Sequence, residues 1–425
     1  MQVSPGKILC IRLWNKSFRV WETKEKLYKH YIAGCGIGVK ILHDMTGPNT
    51  DTLGAYNPIV WMTGPLTFSE AISPNRYHVV SRSPLTGKIE GSSADGLFGA
   101  ALKKAGWNGL VVTGVSDTPV SIVIKDDDVR IVPAEDIWGK DTVSVDEQMK
   151  KQYGKECEVS CIGRAGESLI SIAGIASGAG NLRMAGRGGL GAVMGSKKLK
   201  AVVVTGTRYL EVGNKAVPNI PKDATVNKNY FCASCYMDCR RNPEMLSEKL
   251  SNSSNFEANN EILKLMRDST MVKDSKSIKK AVGMCSLYGI DAIDAAAVIF
   301  IAMECYEKGF LTVDDLDGIK AEWGNGDALV ALTNKICKAE GIGELLGHGV
   351  AFVLRRVTGA AMLGFNVKGL SDGYSKIQKD IDGNKDKYYK YFLDRLKNRN
   401  NFEKSRKKSE TVDFASITAC INDAL

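Results

Sequence analysis

The chain has 425 residues, enough for two or three domains, because one hydrophobic core rarely grows beyond about 250–300 residues. Hydrophobic residues make up 44% and charged residues 25%, which is typical of a soluble globular protein. No apolar run reaches about 18 residues, and the N-terminus lacks the features of a signal peptide, so we expect a cytoplasmic protein without a membrane partner. The net charge of +9 suits an anionic cofactor or an acidic redox partner, and we expect no nucleic-acid partner.

The first half of the sequence predicts many short strands. Residues 1–210 are rich in glycine and β-branched residues, and turn-forming residues separate the apolar runs. Helices are predicted at Gly96–Ala105 and Thr142–Tyr153. The pattern indicates a sheet-based α+β domain. The strand-like runs are KILCIRLW, NPIVWMTG, RYHVVSRS, GLVVTG, VSIVIK, DVRIVPA and LKAVVVTG.

Residues 211–370 predict mainly α-helical domains, because apolar residues recur there at helical spacing. Gly289, Gly309 and Gly341 lie at expected helix ends, where glycine takes a left-handed conformation. Residues 371–425 form an atypical charged segment. Within it, Tyr374–Glu410 is rich in Lys, Asn and Asp, has few large aliphatic residues, and is expected to be a solvated helix or partly disordered. The predicted helices are Glu257–Met266, Ser275–Tyr288, Ile290–Lys308, Asp327–Glu340 and Ile342–Thr358.

Three of the 11 cysteines, Cys232, Cys235 and Cys239, form a C-x2-C-x3-C motif. Three nearby thiolates can bind one face of an iron–sulfur cubane, which needs a fourth ligand, and Cys420 is our candidate. A structural zinc site is the first alternative, although none of the four histidines lies at a zinc-ligand spacing from these cysteines. A chance cluster of cysteines without a metal is a weaker alternative. Six other cysteines stand singly and are predicted to be small buried side chains: Cys10, Cys157, Cys161, Cys285, Cys305 and Cys337.

The glycine-rich residues 178–198 contain Arg183 and Arg187. Glycine lets backbone amides approach an anion closely, and arginine binds phosphate in a bidentate manner. The stretch GRGGLGAVMG weakly resembles a dinucleotide-binding fingerprint, so a Rossmann site and a structural glycine turn stay open as alternatives. A second set of turns surrounds Arg76. Together the two sets predict a surface for a ligand with several phosphates.

These motifs occur in the order seen in the tungsten-containing aldehyde:ferredoxin oxidoreductase family. The resemblance covers residues 7–370 and implies an α+β protein whose N-terminal two-sheet pterin-binding domain is followed by mainly α-helical domains. It also implies tungstopterin, with tungsten or molybdenum held by the dithiolene sulfurs of two pterins. The motifs are AGCGIG, TGPLT, NRYHVVSRSPLTG, KKAGWNGLVVTG, DIWGKDT, LRMAGRGGLGAVMGSKKLKAVVV, CASCYMDC and YGIDAIDAAAVIFIAMECYEKGFL.

The resemblance assigns residues to the cofactors. Glu257 resembles a glutamate near the metal and is the candidate general base, while the three motif cysteines and Cys420 would hold a [4Fe-4S] cluster. Ser93 and Asp95 replace the Asn and Gly common in the family, and an aspartate there would repel phosphate. The resemblance also implies Mg2+ bridging the pterin phosphates. The residues assigned to the pterin are Arg76, Ser93, Asp95, Arg183, Met184, Gly186, Arg187, Ile290, Asp291 and Asp423.

The implied activity is oxidation of aldehydes to carboxylic acids, with electrons passing through the cluster to ferredoxin, in a homodimer. After Leu370 the family pattern departs, no histidine follows His348, and the family's fourth cluster cysteine would lie just beyond Leu425. Three interpretations follow, and we favour a truncated or degraded gene product. The alternatives are a divergent paralogue that uses Cys420 and an assembly that needs another chain. A catalytically impaired paralogue that binds cofactor or transfers electrons is the second functional hypothesis. A zinc-stabilised nucleotide-binding domain is the third.

Overall fold

The computed structural model describes residues 6–65, 67, 76–178, 183–208 and 260–363, with two short strands at Asn366–Val367 and Leu370–Ser371. These residues form two compact units. The first contains residues 6–208 and Cys285–Asp291, and the second contains residues 261–284 and 292–371. The predicted division of the chain at residues 210 and 370 stays a prediction.

One six-stranded sheet of the first unit has the order β2-β1-β6-β3-β4-β5. Strands β1 and β6 are parallel, and the other neighbours are antiparallel. Strand β2 is an edge strand that the apolar pattern did not predict, because its residues are mostly exposed. The strands are β1 (Lys7–Arg12), β2 (Ser17–Glu22), β3 (Ile59–Thr63), β4 (Tyr77–Arg82), β5 (Ile89–Ala94) and β6 (Trp107–Thr113).

The other six-stranded sheet has the order β11-β10-β9-β12-β7-β8. Strands β12 and β7 are parallel, and the remaining neighbours are antiparallel. The strands are β7 (Val120–Lys125), β8 (Asp128–Pro133), β9 (Glu158–Cys161), β10 (Ile175–Ser177), β11 (Arg183–Ala185) and β12 (Leu199–Thr205).

Both sheets bury side chains in one hydrophobic core. Alternate residues of β1, Leu9 and Ile11, enter this core, as the two-residue period of a strand requires. Trp61 of β3 is fully buried, and its Nε1 donates a hydrogen bond to Ser160 Oγ of β9 at 3.2 Å. Helices α3 (Phe98–Lys104) and α6 (Leu190–Ser196) add further apolar side chains to the same core.

Four further helices belong to the first unit: α1 (Glu25–Tyr31), α2 (Cys35–Met45), α4 (Thr142–Tyr153) and α5 (Arg164–Glu167). Helix α2 packs against β4, and a Cβ on Gly38 would lie 2.6 Å from Val80 Cγ2. Helix α4 has the predicted bounds, because the Asp141 carboxylate accepts the Ser144 amide at 2.9 Å and caps its first turn. Its side chains form a second core cluster with the second sheet.

Helices dominate the second unit. Gly309 follows a helix of this unit with a φ of 72°, and Gly289, in the first unit, follows another with a φ of 76°, as predicted. Gly341 instead lies at the start of a helix, with a φ of 56° and a ψ of −128°, while Ala339 takes the left-handed conformation at the end of the preceding helix. The single helix predicted over Ile342–Thr358 is wrong: the chain forms two helices, because Gly349 takes a φ of 86° between them. After α6 the helices are α7 (Asn260–Thr270), α8 (Ser275–Tyr288), α9 (Ala292–Glu307), α10 (Gly326–Lys338), α11 (Ile342–Gly347) and α12 (Val350–Arg356).

The predicted α+β class, with an N-terminal two-sheet unit followed by helices, is confirmed. Helix α9 is buried on nearly all sides, which explains why its apolar residues show so little amphipathic pattern. Within the described ranges, no helix combines the length and the apolar character needed to span a membrane.

Candidate functional site

The hairpin of β4 and β5 brings Arg76, Ser93 and Asp95 to one end of the first sheet. Arg76 directly precedes β4 and Asp95 directly follows β5, while His78 and Ser93 are opposite each other in the register. Arg76 Nε donates a hydrogen bond to Asp95 Oδ1 at 2.8 Å. Both side chains are 28% exposed, so this ion pair is accessible to a ligand from solvent.

Strand β11 brings a second arginine to the same carboxylate. Arg183 Nη1 lies 3.6 Å from Asp95 Oδ2, so Asp95 stands between two guanidinium groups. Gly96 follows Asp95 with a φ of 115°, and a Cβ on it would lie 3.7 Å from Arg183 Cγ. Next to Arg183, the Met184 side chain covers Gly174, where a Cβ would lie 2.6 Å from the Met184 sulfur.

The loop after β11 places Arg187 beside Asp291. The Arg187 amide donates to Ser92 Oγ at 3.1 Å, which joins this loop to β5. Arg187 Nη1 lies 3.6 Å from Asp291 Oδ2, and the Asp291 side chain is 8% exposed. A Cβ on Gly186 would lie 2.9 Å from Asp291 Cγ, so this close approach requires glycine.

Backbone contacts fix the segment that carries Ile290 and Asp291. The Gly174 amide donates to Gly289 O at 2.8 Å, and the Asp291 amide donates to Ile172 O at 3.0 Å. Ile290 is buried and forms an isolated bridge with Ala173. Its side chain therefore contributes packing, while Asp291 presents the charge.

Two further titratable groups lie near the Arg76 end of the site. Burial, with a smaller effect of the Arg76 guanidinium, lowers the pKa of His78 to about 4, so the imidazole is neutral at pH 7. Lys103 Nζ donates to Gly64 O at 3.1 Å and to Pro65 O at 3.3 Å. Burial lowers the pKa of Lys103 to about 8, and the ammonium still carries most of its charge at pH 7. Lys103 begins the motif KKAGWNGLVVTG, but the sequence analysis assigned it no role in the site.

The described site residues fit a phosphorylated ligand. Arg76, Arg183 and Arg187 supply guanidinium groups, and the glycine at position 186 lets the loop after β11 pack closely against Asp291. Asp95 and Asp291 offset part of this positive charge. The sequence analysis did not identify Ser92. The alternation of residues along β5 could have indicated it, because Ser92 is buried and its neighbour Ser93 is half-buried.

The glycine-rich segment does not form a Rossmann unit. Strands β11 and β12 flank α6 but are not neighbours in the sheet, so no parallel β-α-β unit forms. Gly189 precedes α6 with a φ of 69°, and Gly191 and Gly195 pack directly on backbone carbonyls of Gly174 and Gly166. These glycines therefore serve close packing of a short helix.

Of the six singly placed cysteines, five are buried, which confirms the prediction for them, while Cys10 is only half-buried. Burial raises the pKa of Cys157 to about 11, and that of Cys161 and Cys305 to about 12, so these thiols stay protonated. The part of the chain that the structure describes contains no group of three or more His, Cys, Asp or Glu side chains that could hold a metal ion. Six predicted site residues lie outside the described residues: Cys232, Cys235, Cys239, Glu257, Cys420 and Asp423.

Comparison with known proteins identifies the family. The model of the aldehyde ferredoxin oxidoreductase N-terminal domain matches residues 8–206, and the model of domains 2 and 3 of that enzyme matches residues 186–377. The tungsten-containing aldehyde ferredoxin oxidoreductase of Pyrococcus furiosus is 30% identical over 86% of this chain and 69% of its own length. The chain therefore belongs to the aldehyde ferredoxin oxidoreductase family.

Other relatives define the extent of the match. The tungsten-containing aldehyde ferredoxin oxidoreductase of Thermococcus kodakarensis is 31% identical over 81% of this chain and 66% of its own length, so the chain spans slightly less than two thirds of that protein. The WOR-like subunit of aliphatic sulfonate oxidoreductase of Pyrococcus furiosus is 26% identical over 90% of this chain. A chain of similar fold occurs in the active-site complex BamBC of benzoyl coenzyme A reductase, solved in complex with 1,5-dienoyl-CoA. The TM-score is 0.71 and the identity is 24%, over 86% of this chain and 65% of that chain.

Proposed function

We propose that this chain is an oxidoreductase that oxidises aldehydes to carboxylic acids at a tungsten or molybdenum centre held by two pterins. Each turnover converts an aldehyde and water into a carboxylic acid, two protons and two electrons. A [4Fe-4S] cluster held by the proposed cysteine ligands would supply the path for these electrons to ferredoxin. The observation that carries the proposal is the group of three arginines around a glycine-lined loop, in a unit that matches the family's N-terminal domain.

The described residues would hold the phosphate end of the cofactor. Arg76, Arg183 and Arg187 have guanidinium groups suited to pterin phosphates. Asp291 holds Arg187 in place and presents an acidic group to the pterin. When bound, the metallopterin supplies the two-electron chemistry, while the protein binds and orients the substrate.

The remaining predicted residues complete the proposal. Ser93, Met184, Ile290 and Asp423 are the other proposed pterin contacts, and Asp95 is the assigned residue whose charge opposes a phosphate. Glu257 is the proposed general base. The proposed cluster ligands are Cys232, Cys235, Cys239 and Cys420.

Metal analysis of the anaerobically purified full chain tests the cofactor assignment. We expect tungsten or molybdenum together with about four iron atoms per chain, and a reduced-cluster signal in low-temperature electron paramagnetic resonance. Magnesium in the same sample would support the proposed bridge between the pterin phosphates. Zinc without iron, tungsten or molybdenum would refute the proposal in favour of a zinc-stabilised domain.

A matched pair of arginine variants tests the phosphate site. Arg187→Ala should lower the tungsten and pterin content, because it removes a guanidinium group from the loop after β11. Arg130→Ala is the control, because Arg130 is an exposed arginine of β8 that also pairs with an aspartate, Asp128 at 3.2 Å. Equal loss of cofactor in both variants would contradict a specific role for Arg187.

Turnover assays test the substrate and the catalytic group. Aldehyde-dependent reduction of a viologen dye, and then of ferredoxin, is the expected activity. Glu257→Gln should abolish it while tungsten and iron contents stay unchanged, and undiminished activity would remove Glu257 from the site. An aliphatic sulfonate should be assayed in parallel, because one relative is named as a subunit of a sulfonate oxidoreductase.

A second candidate function is a catalytically impaired paralogue that binds cofactor or transfers electrons. It is favoured by Asp95, whose carboxylate pairs with two of the arginines proposed to bind phosphate. Protein that holds the metals and the cluster, yet turns over neither aldehydes nor sulfonates, would support this candidate.

We also propose that the protein is a cytoplasmic homodimer. Light scattering of the purified protein measures its mass and tests the dimer.

A further inference from the structure

The carboxylate of Asp95 occupies the space between two arginines of the candidate phosphate site. Its Oδ1 accepts a hydrogen bond from Arg76 Nε at 2.8 Å, and its Oδ2 lies 3.6 Å from Arg183 Nη1. Each carboxylate oxygen thus faces a different guanidinium group. A phosphate also offers several anionic oxygens, so it would use the same donors that Asp95 uses.

Solvent reaches this group of three side chains. Asp95 and Arg76 are each 28% exposed, and Arg183 is 21% exposed. An anion from solvent can therefore reach both guanidinium groups and take the place of the carboxylate. The other pair of the site differs, because Asp291 is only 8% exposed and is packed against Gly186. Asp95 is therefore the acidic group that a ligand can displace.

Backbone geometry keeps Asp95 beside the arginines. It leaves β5 directly after Ala94, which pairs with Tyr77, the residue that follows Arg76. The next residue, Gly96, has a φ of 115° and lies against the Arg183 side chain. Strand pairing thus holds Arg76 beside Asp95, and the packing of Gly96 against Arg183 brings the second arginine to the same carboxylate before any ligand arrives.

We propose that Asp95 is a built-in competitor for phosphate at the Arg76–Arg183 pair. It holds both guanidinium groups when no ligand is bound, and a phosphorylated ligand must displace it. The site therefore binds phosphate more weakly than the same two arginines would without Asp95. The identity of the natural ligand rests on the proposed function, whereas the competition between carboxylate and phosphate does not.

Binding of inorganic pyrophosphate to cofactor-free full chain tests this proposal. Isothermal titration calorimetry at constant ionic strength should show that Asp95→Asn binds pyrophosphate about tenfold more tightly than the unchanged protein, because the amide keeps the shape but removes the competing charge. Asp95→Glu should bind within about twofold of the unchanged protein, since it keeps the charge. Asp128→Asn is the control, because it removes a carboxylate paired with Arg130 outside the site.

Tungsten content is a second measurement, made on two Asp95 variants so that the test does not depend on one substitution. In cells grown with limiting tungstate, Asp95→Asn and Asp95→Ser should carry more tungsten per chain than Asp128→Asn, whether or not the protein turns over. Circular dichroism should show that the variants are folded.

Equal or weaker pyrophosphate binding by Asp95→Asn would overturn the proposal. Equally tight binding by Asp95→Glu and Asp95→Asn would also overturn it, because charge would not then be the cause. If no variant contains tungsten or molybdenum, the proposed function fails, while the pyrophosphate titrations still decide the role of Asp95. Pyrophosphate binding by none of the proteins would overturn the phosphate site itself and this inference with it.

Discussion

A buried ion pair in the first unit gives the sharpest prediction about stability. The Lys200 side chain is fully buried, and the Glu167 side chain is 8% exposed. Lys200 Nζ donates to the Glu167 carboxylate and to Lys140 O, the latter at 2.8 Å. Both Glu167 oxygens also lie 3.0 Å from the Gly139 amide nitrogen. The pair thus anchors the DIWGKDT segment to α5 and β12.

Replacing Lys200 with methionine removes the ammonium and leaves the Glu167 carboxylate buried. The Gly139 amide then remains as its donor among these contacts, and an uncompensated buried charge costs about 3–5 kcal/mol. We therefore expect Lys200→Met to lower the free energy of unfolding by about that amount. Adding Glu167→Leu should recover part of the loss, because the double variant no longer buries a lone charge.

Urea unfolding of the cofactor-free protein at pH 7, followed by circular dichroism, measures these differences. Lys29→Met is the matched control, because Lys29 pairs with Glu25 at 3.0 Å on the surface and the exposed pair contributes at most about 1 kcal/mol. A loss of less than about 1 kcal/mol in Lys200→Met would refute the reasoning. A double variant that loses the full sum of both single losses would refute it as well, because the two side chains would then act independently.

Three further predictions concern single positions. Burial raises the pKa of Glu158 from 4.5 to about 7, so the folded protein holds a proton that the unfolded chain releases between these values. The free energy of unfolding should therefore fall as the pH rises through this window. In Glu158→Gln the fall between pH 4.5 and 7.5 should be smaller by about 1–3 kcal/mol. Urea midpoints that respond equally to pH in both proteins would contradict this. Gly186→Ala should weaken pyrophosphate binding and cost about 1–3 kcal/mol, because its Cβ would lie 2.9 Å from Asp291 Cγ; unchanged titrations would show that the loop adjusts. Gly283→Ala should instead raise stability by about 0.5–1 kcal/mol in thermal unfolding, because Gly283 lies within α8 and no atom of the described residues is near its missing Cβ; a decrease would mean that α8 tolerates no side chain there.

Local sequence patterns predicted the regular elements well where the pattern is strong. The helices Thr142–Tyr153 and Ser275–Tyr288 have the predicted bounds, because apolar spacing and capping are properties of neighbouring residues. The mostly exposed strand β2 and the three-residue strand β11 were missed. Such strands exist because a partner strand supplies their hydrogen bonds, and that partner is distant in sequence.

The sequence by itself determined the family motifs, the positions of the arginines and glycines, and the α+β order of the elements. It also placed an aspartate at position 95 and indicated that this residue opposes phosphate. Only the tertiary structure decided that Asp95 contacts both Arg76 and Arg183, which lie on β-structure of two different sheets. The physical reason is that contacts between distant segments depend on strand register and on packing between the sheets, and no local pattern encodes either.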